Sequence, residues 1–281
     1  MKTIAYENIV TAVEGLCLTA AYDLPGEVGT ALAQALGNED SSLARAVLKQ
    51  CMENARLAAE ERTPICQDTG FAVYFVELGQ EVRIEGGLLA DAVREGTARG
   101  YQTGYLRASI VEEPLYGRKN TGDNTPPVVH LSLVGGEALR ITLAPKGAGS
   151  ENASAFRIFK PSDGEDAVAD FVVETVVGAG GNPCPPTIIG IGIGGTFETA
   201  ALLSKKALVR PLNTSHHNPR YAALERAILE RINASGVGPQ GLGGSTTALA
   251  VHIETFPCHM ASLPVAVNIN CHAARHATVV L

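Results

Sequence analysis

The first sixty residues carry an apolar pattern with the period of an α-helix. One set of apolar positions falls on a single helical face, at Ile9, Val10, Val13, Leu16 and Cys17. A second set follows the capping residues Ser41 and Ser42 and consists of Leu43, Val47 and Cys51. The pattern therefore predicts helices in this part of the chain, with Cys17 and Cys51 as small core residues on their apolar faces.

Beyond residue 70, strand patterns are mixed with helix patterns. β-Branched and aromatic residues predict a strand at 71–79, and an apolar run predicts a buried strand at 187–193. Two further segments, 128–134 and 138–144, are joined through Gly135-Gly136-Glu137 and predict a β-hairpin. The other predicted strands are 246–254 and 263–270, and the other predicted helices are 86–105, 164–178 behind Asp163 as a cap, 197–207, and 219–234 entered through Asn218-Pro219.

These elements show neither strict βαβ alternation nor internal repeats. They predict an α+β fold, with a helical N-terminal part followed by mixed and antiparallel strands with helices, in one or two lobes.

The charge balance excludes some classes of partner. The chain has 281 residues, a net charge of −7 and a pI of about 5.5, without a run of basic residues. That argues against nucleic acid and anionic membranes as partners. Basic side chains in polar loops still allow a small acidic ligand, and they are Arg107, Arg118, Lys119 and Lys146.

The sequence predicts a cytoplasmic location. No uncharged apolar stretch approaches the ~20 residues that a membrane span needs. The N-terminus has the pattern of an amphipathic helix and lacks a cleavage signal. The cysteines at positions 17, 51, 66, 184, 258 and 271 are therefore expected to stay reduced.

Seven loops are rich in polar residues and glycine, which is typical of binding sites. They span 64–70, 105–109, 118–126, 145–152, 182–186, 238–244 and 269–276. Three of them contain a cysteine, namely Cys66, Cys184 and Cys271, and the chain has no CxxC pair. One such cysteine alone is more often structural. Three of them in separate polar loops, each next to an apolar strand, indicate a joint site that the fold would assemble.

Three converging thiolates are compatible with more than one metal group. Zinc usually takes a fourth protein ligand when it is structural, or His and carboxylate ligands when it is catalytic. An iron–sulfur cluster normally takes four cysteines. A [4Fe-4S] cluster held by three leaves one iron open as a Lewis acid for a substrate oxygen. This last alternative accounts for the nearby arginines and for the acid next to Cys66.

Several motifs taken together resemble a known family. In chain order they are PICQDTG, LRAS, NTGDNTP, PKGAGSEN, NPCPP, GIGIGGTFETAALLSKKAL, VGPQGLGG and LPVAVNINCHAARH. From about residue 40 to its end, the chain resembles the class I, iron–sulfur fumarate hydratases. It is most similar to the α subunit of the two-subunit form, a group that includes L-tartrate dehydratase. The resemblance implies one catalytic domain of the N-terminal type over residues 1–281.

The resemblance also implies roles for individual residues. Cys66, Cys184 and Cys271 are implied to hold a [4Fe-4S] cluster. Gln67 and Asp68 match positions that contact the substrate, with Asp68 as the proton donor to the departing hydroxyl. Arg107 matches an arginine that pairs with a substrate carboxylate, which suits its planar, bidentate guanidinium. Gly147 and Gly149 match a glycine loop whose backbone amides are implied to bind the substrate. His259 matches a histidine that is implied to reach the active site of the neighbouring copy in a homodimer.

The implied activity is that of a hydro-lyase, the reversible hydration of fumarate to L-malate, as in the tricarboxylic acid cycle. One-chain family members continue into a second domain that supplies the base for the carbon-bound proton. This chain stops at Leu281, so a separate β subunit is implied and the chain alone is expected to be inactive. Residual activity of the lone chain would instead favour Asp68 as the sole acid and base.

Two alternatives to fumarate hydration stay open. Dehydration of L-tartrate to oxaloacetate is the close one, although the overall match of NTGDNTP, PKGAGSEN and NINCHAARH favours fumarate. The other is a zinc-binding or metal-free subunit that only scaffolds another protein. A scaffold does not account for the presence of Gln67, Asp68 and Arg107 next to the cysteines.

Two further patterns carry weaker interpretations. Residues 190–195 satisfy the GxGxxG pattern of a nucleotide fold, but the acidic residue expected ~20 positions later is absent, so a glycine-rich strand end is favoured. His272 and His276 stand four residues apart beside Cys271, where zinc is the alternative to a supporting or interface role.

Other polar residues are given structural interpretations or left open. His216 and His217 follow a turn-like segment and are predicted to face solvent, and Cys258 is predicted to be a spare thiol. Asp123 and Lys119 either bind substrate or stabilise a turn, because asparagine, threonine and glycine in the same loop are also the usual turn residues.

Overall fold

The computed structural model describes all residues of the chain, Met1–Leu281. Contacts within the chain divide it into two compact units. The first unit consists of Met1–Pro25, Asn54–Ala148 and Arg275–Leu281, and the second of Gly26–Glu53 and Gly149–Ala274. Each unit contains a four-stranded sheet and its own apolar core. The fold is therefore mixed α+β, with long N-terminal helices followed by mixed sheets and helices, as the sequence predicts.

The chain forms eight α-helices and ten strands. The helices are α1 Tyr6–Tyr22, α2 Gly26–Asn38, α3 Ser42–Glu61, α4 Leu89–Thr103, α5 Ala148–Glu151, α6 Gly164–Ala179, α7 Phe197–Ala207 and α8 Pro219–Asn233. The strands are β1 Lys2–Ala5, β2 Phe71–Gly79, β3 Val82–Glu85, β4 Val128–Val134, β5 Leu139–Lys146, β6 Ala155–Phe159, β7 Thr187–Gly194, β8 Ala248–Phe256, β9 Leu263–Asn270 and β10 Ala277–Val280. Among the helices, none has the apolar length that a membrane span needs.

The core of the first unit lies between helices α1 and α4 and a sheet with the strand order β10-β5-β2-β4. The predicted apolar face of α1, from Ile9 to Cys17, is buried in it. Helix α4 packs closely on α1 because Gly96 has no side chain: a Cβ atom there would lie 2.6 Å from the carbonyl oxygen of Val10. Strands β1 and β3 form a separate parallel pair, which the sequence pattern did not predict.

The predicted hairpin of β4 and β5 is wrong, because strand β2 lies between them. β2 pairs in parallel with β4 and antiparallel with β5. The short connection after β4 crosses the end of β2, where the Gly79 amide donates to the Ala138 carbonyl at 2.9 Å. A Cβ atom on Gly79 would lie 2.3 Å from the Gly136 carbonyl oxygen. The crossing therefore depends on a glycine at the end of β2 as well as on the glycines in the connection.

The second unit is built around β7, whose residues are all buried. β7 lies in the sheet order β6-β9-β7-β8, parallel to β8 and antiparallel to β9. In β7, Ile189, Ile191 and Ile193 face a core shared with α6 and α8. Its glycines face α7: a Cβ atom on Gly190 would lie 2.0 Å from the Ser204 carbonyl oxygen, and one on Gly192 would lie 2.0 Å from that of Ala200. Close helix packing therefore explains the glycine pattern at 190–195 without a dinucleotide.

Some local predictions differ from the structure. Asp163 is the N-cap residue of α6, as predicted, but its side chain makes no capping hydrogen bond; its carboxylate accepts the backbone amide of Lys160 at 2.9 Å instead. By contrast, Asn218 caps α8 as predicted, since its side chain accepts the Arg220 amide at 3.0 Å. The short strands β6 and β10, of five and four residues, were not predicted.

Two polar residues from the sequence analysis turn out to be structural. His217 is exposed as predicted, but His216 is only 7% exposed, and its Nδ1 accepts the Asn218 amide at 2.9 Å. Asp123 accepts both the backbone amide and the hydroxyl of Thr125, at 2.9 and 2.8 Å. Asp123 therefore stabilises the turn in its own loop.

The stability of the second unit should fall in mild acid because His252 is buried as a neutral imidazole. Burial, and then the positive charge of Arg210, lower its pKa from 6.5 to about 4. The unfolded chain binds a proton near pH 6.5 that the folded chain binds only near pH 4. The stability contributed by the neutral His252 should therefore be fully present above pH 6.5. The free energy of unfolding should fall by up to about 3 kcal/mol as the pH drops to 4. Urea denaturation across this range measures the change.

His252→Gln should flatten this pH dependence, whereas His217→Gln, which removes an exposed histidine, should retain it. Protonation of carboxylates lowers the stability only at lower pH. Burial alone would raise the pKa of Glu39, but hydrogen bonds from Ser41 and Ser245 outweigh burial and hold it below 4.5. The stability contributed by Glu39 is thus present above pH 4.5 and lost only in stronger acid. An unchanged slope in His252→Gln would contradict the assignment to this histidine.

Candidate active site

The loop after α3 begins at a fixed point in the first unit. The Ile65 amide donates to the Ala21 carbonyl at 3.0 Å, and the Ile65 carbonyl accepts the Asn54 side-chain amide at 2.8 Å. Cys66 follows directly, partly exposed, and its Sγ lies 3.4 Å from Oε1 of Gln67. The position of Cys66 is therefore set by hydrogen bonds to the backbone of the preceding residue, Ile65.

The other end of the same loop is held by buried side chains. The Tyr101 hydroxyl lies 3.1 Å from the Thr69 carbonyl oxygen and 2.9 Å from that of Gly70. Asn124 also donates to the Gly70 carbonyl, at 3.1 Å, and the Thr69 hydroxyl donates to the Arg107 carbonyl at 3.0 Å. Burial raises the pKa of Tyr101 well above its usual range, so its hydroxyl remains a donor.

Asp68 lies between these two anchored ends. Its Oδ1 accepts the Gly70 amide at 3.1 Å and its Oδ2 accepts the Ala148 amide at 2.8 Å. A Cβ atom on Gly147 would lie 3.2 Å from Oδ2, so the carboxylate packs directly against this glycine. The fold thus brings together Asp68 and Gly147, two of the residues that the sequence analysis singled out, and leaves the Asp68 side chain partly exposed to a ligand.

Gln67, which precedes Asp68, and Arg107, whose carbonyl accepts the Thr69 hydroxyl, both have exposed side chains. The Arg107 backbone is tied to the loop through Thr69, while its guanidinium remains accessible. This combination of a fixed backbone and an accessible cation is suited to a carboxylate ligand. In the first unit the structure therefore collects a thiol, an amide, a carboxylate and an arginine around one loop.

The second unit brings together the loops of Cys184 and Cys271. Cys184 comes just before β7 and Cys271 just after its antiparallel neighbour β9, so both lie at the same end of the sheet. The Cys184 carbonyl accepts the backbone amide of His272 at 3.2 Å and lies 3.1 Å from its Nδ1. Two of the three predicted cysteines are thus joined through His272.

A further thiol lies near these two. Cys51 is 8% exposed, in agreement with its predicted place in the core. Its pKa is raised to about 11, by burial first and then by the charges of Cys184 and Cys271. The helical pattern around Cys51 gave no sign of this proximity, since it reports burial and not the identity of distant neighbours.

Gly149 lies near the Cys184 loop. A Cβ atom on it would be 3.4 Å from the Asn182 carbonyl oxygen, and both residues line a cavity of about 540 Å³ in the second unit. The neighbouring Glu151 is held by Lys205 of α7, whose Nζ lies 2.6 Å from its Oε1. Asn268 of β9 also donates to Glu151, at 2.9 Å. The glycine loop is therefore tied to the helix that covers β7.

His259 lies far from these cysteines. It belongs to the turn between β8 and β9, at the opposite end of the sheet from Cys184 and Cys271. Eight residues of β7 separate the two ends, which corresponds to about 25 Å. Its side chain is exposed. His259 thus lies well away from the cysteine loops of its own unit.

The thiols fit an iron–sulfur group by their chemistry. Cys66, Cys184 and Cys271 lie outside the apolar cores, are partly or fully exposed, and form no disulfide. Thiolates are the usual ligands of such clusters. Within either unit, no three His, Cys, Asp or Glu side chains are grouped to hold a single metal ion. Cys258 lies apart from these cysteines, and its Sγ is 3.2 Å from the Ser262 carbonyl oxygen.

Comparison with known proteins agrees with the motifs. The family described as Fumarate hydratase (Fumerase) matches residues 10–280. A Methanocaldococcus jannaschii protein provisionally named L(+)-tartrate dehydratase subunit alpha is 41% identical over 275 residues, 96% of each chain. The L(+)-tartrate dehydratase subunits alpha of Escherichia coli K12 and Shigella sonnei are each 34% identical over 285 residues, all of this chain and 93% of theirs.

Gly70→Ala should destabilise the first unit more than Gly122→Ala. Both glycines have φ of +85°, so both substitutions cost about 1–2 kcal/mol of backbone strain. Only at position 70 does the new Cβ meet other atoms, 2.8 Å from the Lys146 amide nitrogen, whereas position 122 is open. The expected difference in the free energy of unfolding is about 1–3 kcal/mol, measured by urea denaturation. Equal losses would contradict the close approach of β5 to this loop.

Proposed function

Since this chain belongs to the family of class I fumarate hydratases and L-tartrate dehydratase alpha subunits, we propose that it is the alpha subunit of an iron–sulfur hydro-lyase that dehydrates L(+)-tartrate. The observation that carries the proposal is the similarity to named tartrate dehydratase alpha subunits, at 34–41% identity over nearly the full length of each chain. The sequence motifs favoured fumarate over tartrate. The relatives support tartrate better, so fumarate is retained as the second candidate.

Dehydration of a hydroxy dicarboxylate requires an acid that protonates the departing hydroxyl so that it leaves as water, a base that removes the carbon-bound proton, and cations that bind the carboxylates. Asp68 is suited to transfer the proton to the departing hydroxyl, because the Gly70 and Ala148 amides hold its carboxyl group in place and its side chain remains partly exposed. Arg107 is suited to a substrate carboxylate through its accessible guanidinium. Gln67 and the backbone around Gly147 complete the polar surface next to Asp68. These four residues are the proposed substrate site of the first unit.

We assign the cluster to Cys66, Cys184 and Cys271 as ligands. When bound, a three-thiolate [4Fe-4S] cluster supplies an electrophilic iron for a substrate oxygen. The contribution of the chain is to position these thiols in loops with a fixed backbone, with Gln67 beside Cys66 and His272 bonded to the Cys184 carbonyl. The proposal treats residues 1–281 as one catalytic domain.

The assembly proposed here contains a second type of subunit. The relatives are named as subunits alpha, which implies a beta subunit. We propose that the beta subunit supplies the base that removes the carbon-bound proton, and that the alpha chain alone is inactive. His259 is proposed to reach the site of a second alpha copy, which agrees with its distance from the cysteines of its own unit.

The cluster is tested by metal analysis of protein purified and reconstituted without oxygen. We expect about four irons and four acid-labile sulfides per chain. Serine in place of Cys66, Cys184 or Cys271 should each lower both contents, whereas Cys258→Ser, which changes an exposed thiol away from them, should not. Zinc in place of iron, or no metal under these conditions, would contradict the hydro-lyase and favour the scaffold alternative.

Substrate choice is tested by dehydration of L(+)-tartrate and L-malate by the native complex purified without oxygen. The two acids differ by one hydroxyl group and react in the same direction. A site built to hydrogen-bond that hydroxyl should prefer tartrate by at least about 100-fold in kcat/KM. A preference for malate would instead identify a fumarate hydratase, and activity with neither acid would exclude both candidates.

A further inference from the structure

Arg275 is a buried cation near the candidate site whose hydrogen-bonding capacity is only partly used. It is 3% exposed and belongs to the first unit. Its Nη2 donates to the Asp68 carbonyl oxygen at 2.8 Å. Its Nε and Nη1 are buried without a hydrogen-bond partner. Arg275 therefore contacts the backbone of the residue proposed to handle the proton, and still has donors directed at no acceptor.

A guanidinium in this state is costly. It has five N–H donors and no acceptor, and a buried donor without a partner loses its hydration with no compensation. In native structures the large majority of buried side-chain polar atoms have a hydrogen-bond partner. An arginine buried with two unused nitrogens is thus expected where a ligand supplies the missing acceptor.

The protein groups around Arg275 do not supply that acceptor. The Asp68 carboxylate accepts the Gly70 and Ala148 amides. The Tyr101 hydroxyl, which is close enough for the charge of Arg275 to lower its pKa against the larger effect of burial, donates to the Thr69 and Gly70 carbonyls. Neither Asp68 nor Tyr101 is bonded to Nε or Nη1 of Arg275, and a bound group that carries negative charge would supply the missing acceptor.

We propose that Arg275 is a positioning residue that fixes Asp68 through Nη2 and donates from Nε and Nη1 to the sulfur atoms of the iron–sulfur group held at Cys66. This inference rests on the proposed function. Arg275 bonds to the second residue after Cys66 and follows Cys271 by four residues, so it is tethered to both thiol loops. Its burial favours a resident group over an exchanging substrate. Hydrogen bonds to cluster sulfurs change both the reduction potential and the retention of the metal.

Two substitutions separate the charge of Arg275 from its geometry. Arg275→Gln removes the charge and the planar fork, and Arg275→Lys keeps the charge without the fork. Arg210→Lys is the matched control. Arg210 is a partly buried arginine whose Nε is likewise buried without a partner, but its other nitrogens are paired with Glu225 and Glu254 in the second unit. The readouts are iron and sulfide content, the electron paramagnetic resonance spectrum of the cluster, the rate of iron loss in air, and kcat and KM of the native complex.

Arg275→Gln, reconstituted without oxygen, should bind the cluster with an altered spectrum and lose iron in air about 10- to 100-fold faster. Its kcat should fall by a similar factor while KM stays within about twofold, because Asp68 is displaced and the carboxylate site is not. Arg275→Lys should recover little of this, and Arg210→Lys should match the unaltered protein in spectrum and iron loss. If Arg275→Gln does not fold, the same changes in Arg275→Lys support the proposal and their absence overturns it.

Other results would overturn the proposal in distinguishable ways. A raised KM with an unchanged spectrum and unchanged iron loss would make Arg275 a ligand of a substrate carboxylate. Lower thermal stability alone would make it a structural residue. If the unaltered protein binds no iron and sulfide, the proposed function fails first; if it binds them and the variants do not differ from it, only the role of Arg275 fails.

Discussion

The candidate site depends on the hydrogen bonds that immobilise residues 65–70. A loop that carries a thiol, an amide and a carboxylate in succession would be mobile if left to its own polar side chains. Here the Ile65 amide is bonded to α1, and the Tyr101 hydroxyl of α4 engages two consecutive carbonyls at the other end. Because α1 and α4 also form the core of the first unit, core packing and loop geometry are the same constraint. A change in the distance between these helices would therefore change the position of Asp68.

Sequence patterns predict the structure best where the relevant information is local. Apolar periodicity located the long helices, and the Asn218 cap followed from one side chain and one amide. The predicted β4–β5 hairpin is wrong because the pairing of these strands is decided by a third strand, β2, that is remote in sequence. The predicted exposure of His216 is wrong for a similar reason, since a polar local sequence does not show that other parts of the chain bury the residue.

The residues of the site divide in a similar way. The cysteine loops stood out through composition, and Asp68 and Gly147 through motifs that proved to lie together. Nothing in the local pattern marked Cys51 as a neighbour of Cys184, or Arg275 as a buried cation beside Asp68. Those relations arise from tertiary contacts. The choice between L-tartrate and L-malate as the acid to be dehydrated is harder still, because the two acids differ by only one hydroxyl group.

The two glycines of β7 that face α7 have an effect beyond the sheet. Lys205 extends from α7 to Glu151, which also binds Asn268 of β9. The distance between helix and sheet therefore determines whether this lysine can reach its carboxylate partner. A methyl group at Gly190 or Gly192 would push α7 outward and shift the loop of Gly149, although neither glycine touches that loop. The glycines at positions 190 and 192 are therefore required by the contact between strand and helix, and that contact in turn sets the position of a loop that neither glycine touches.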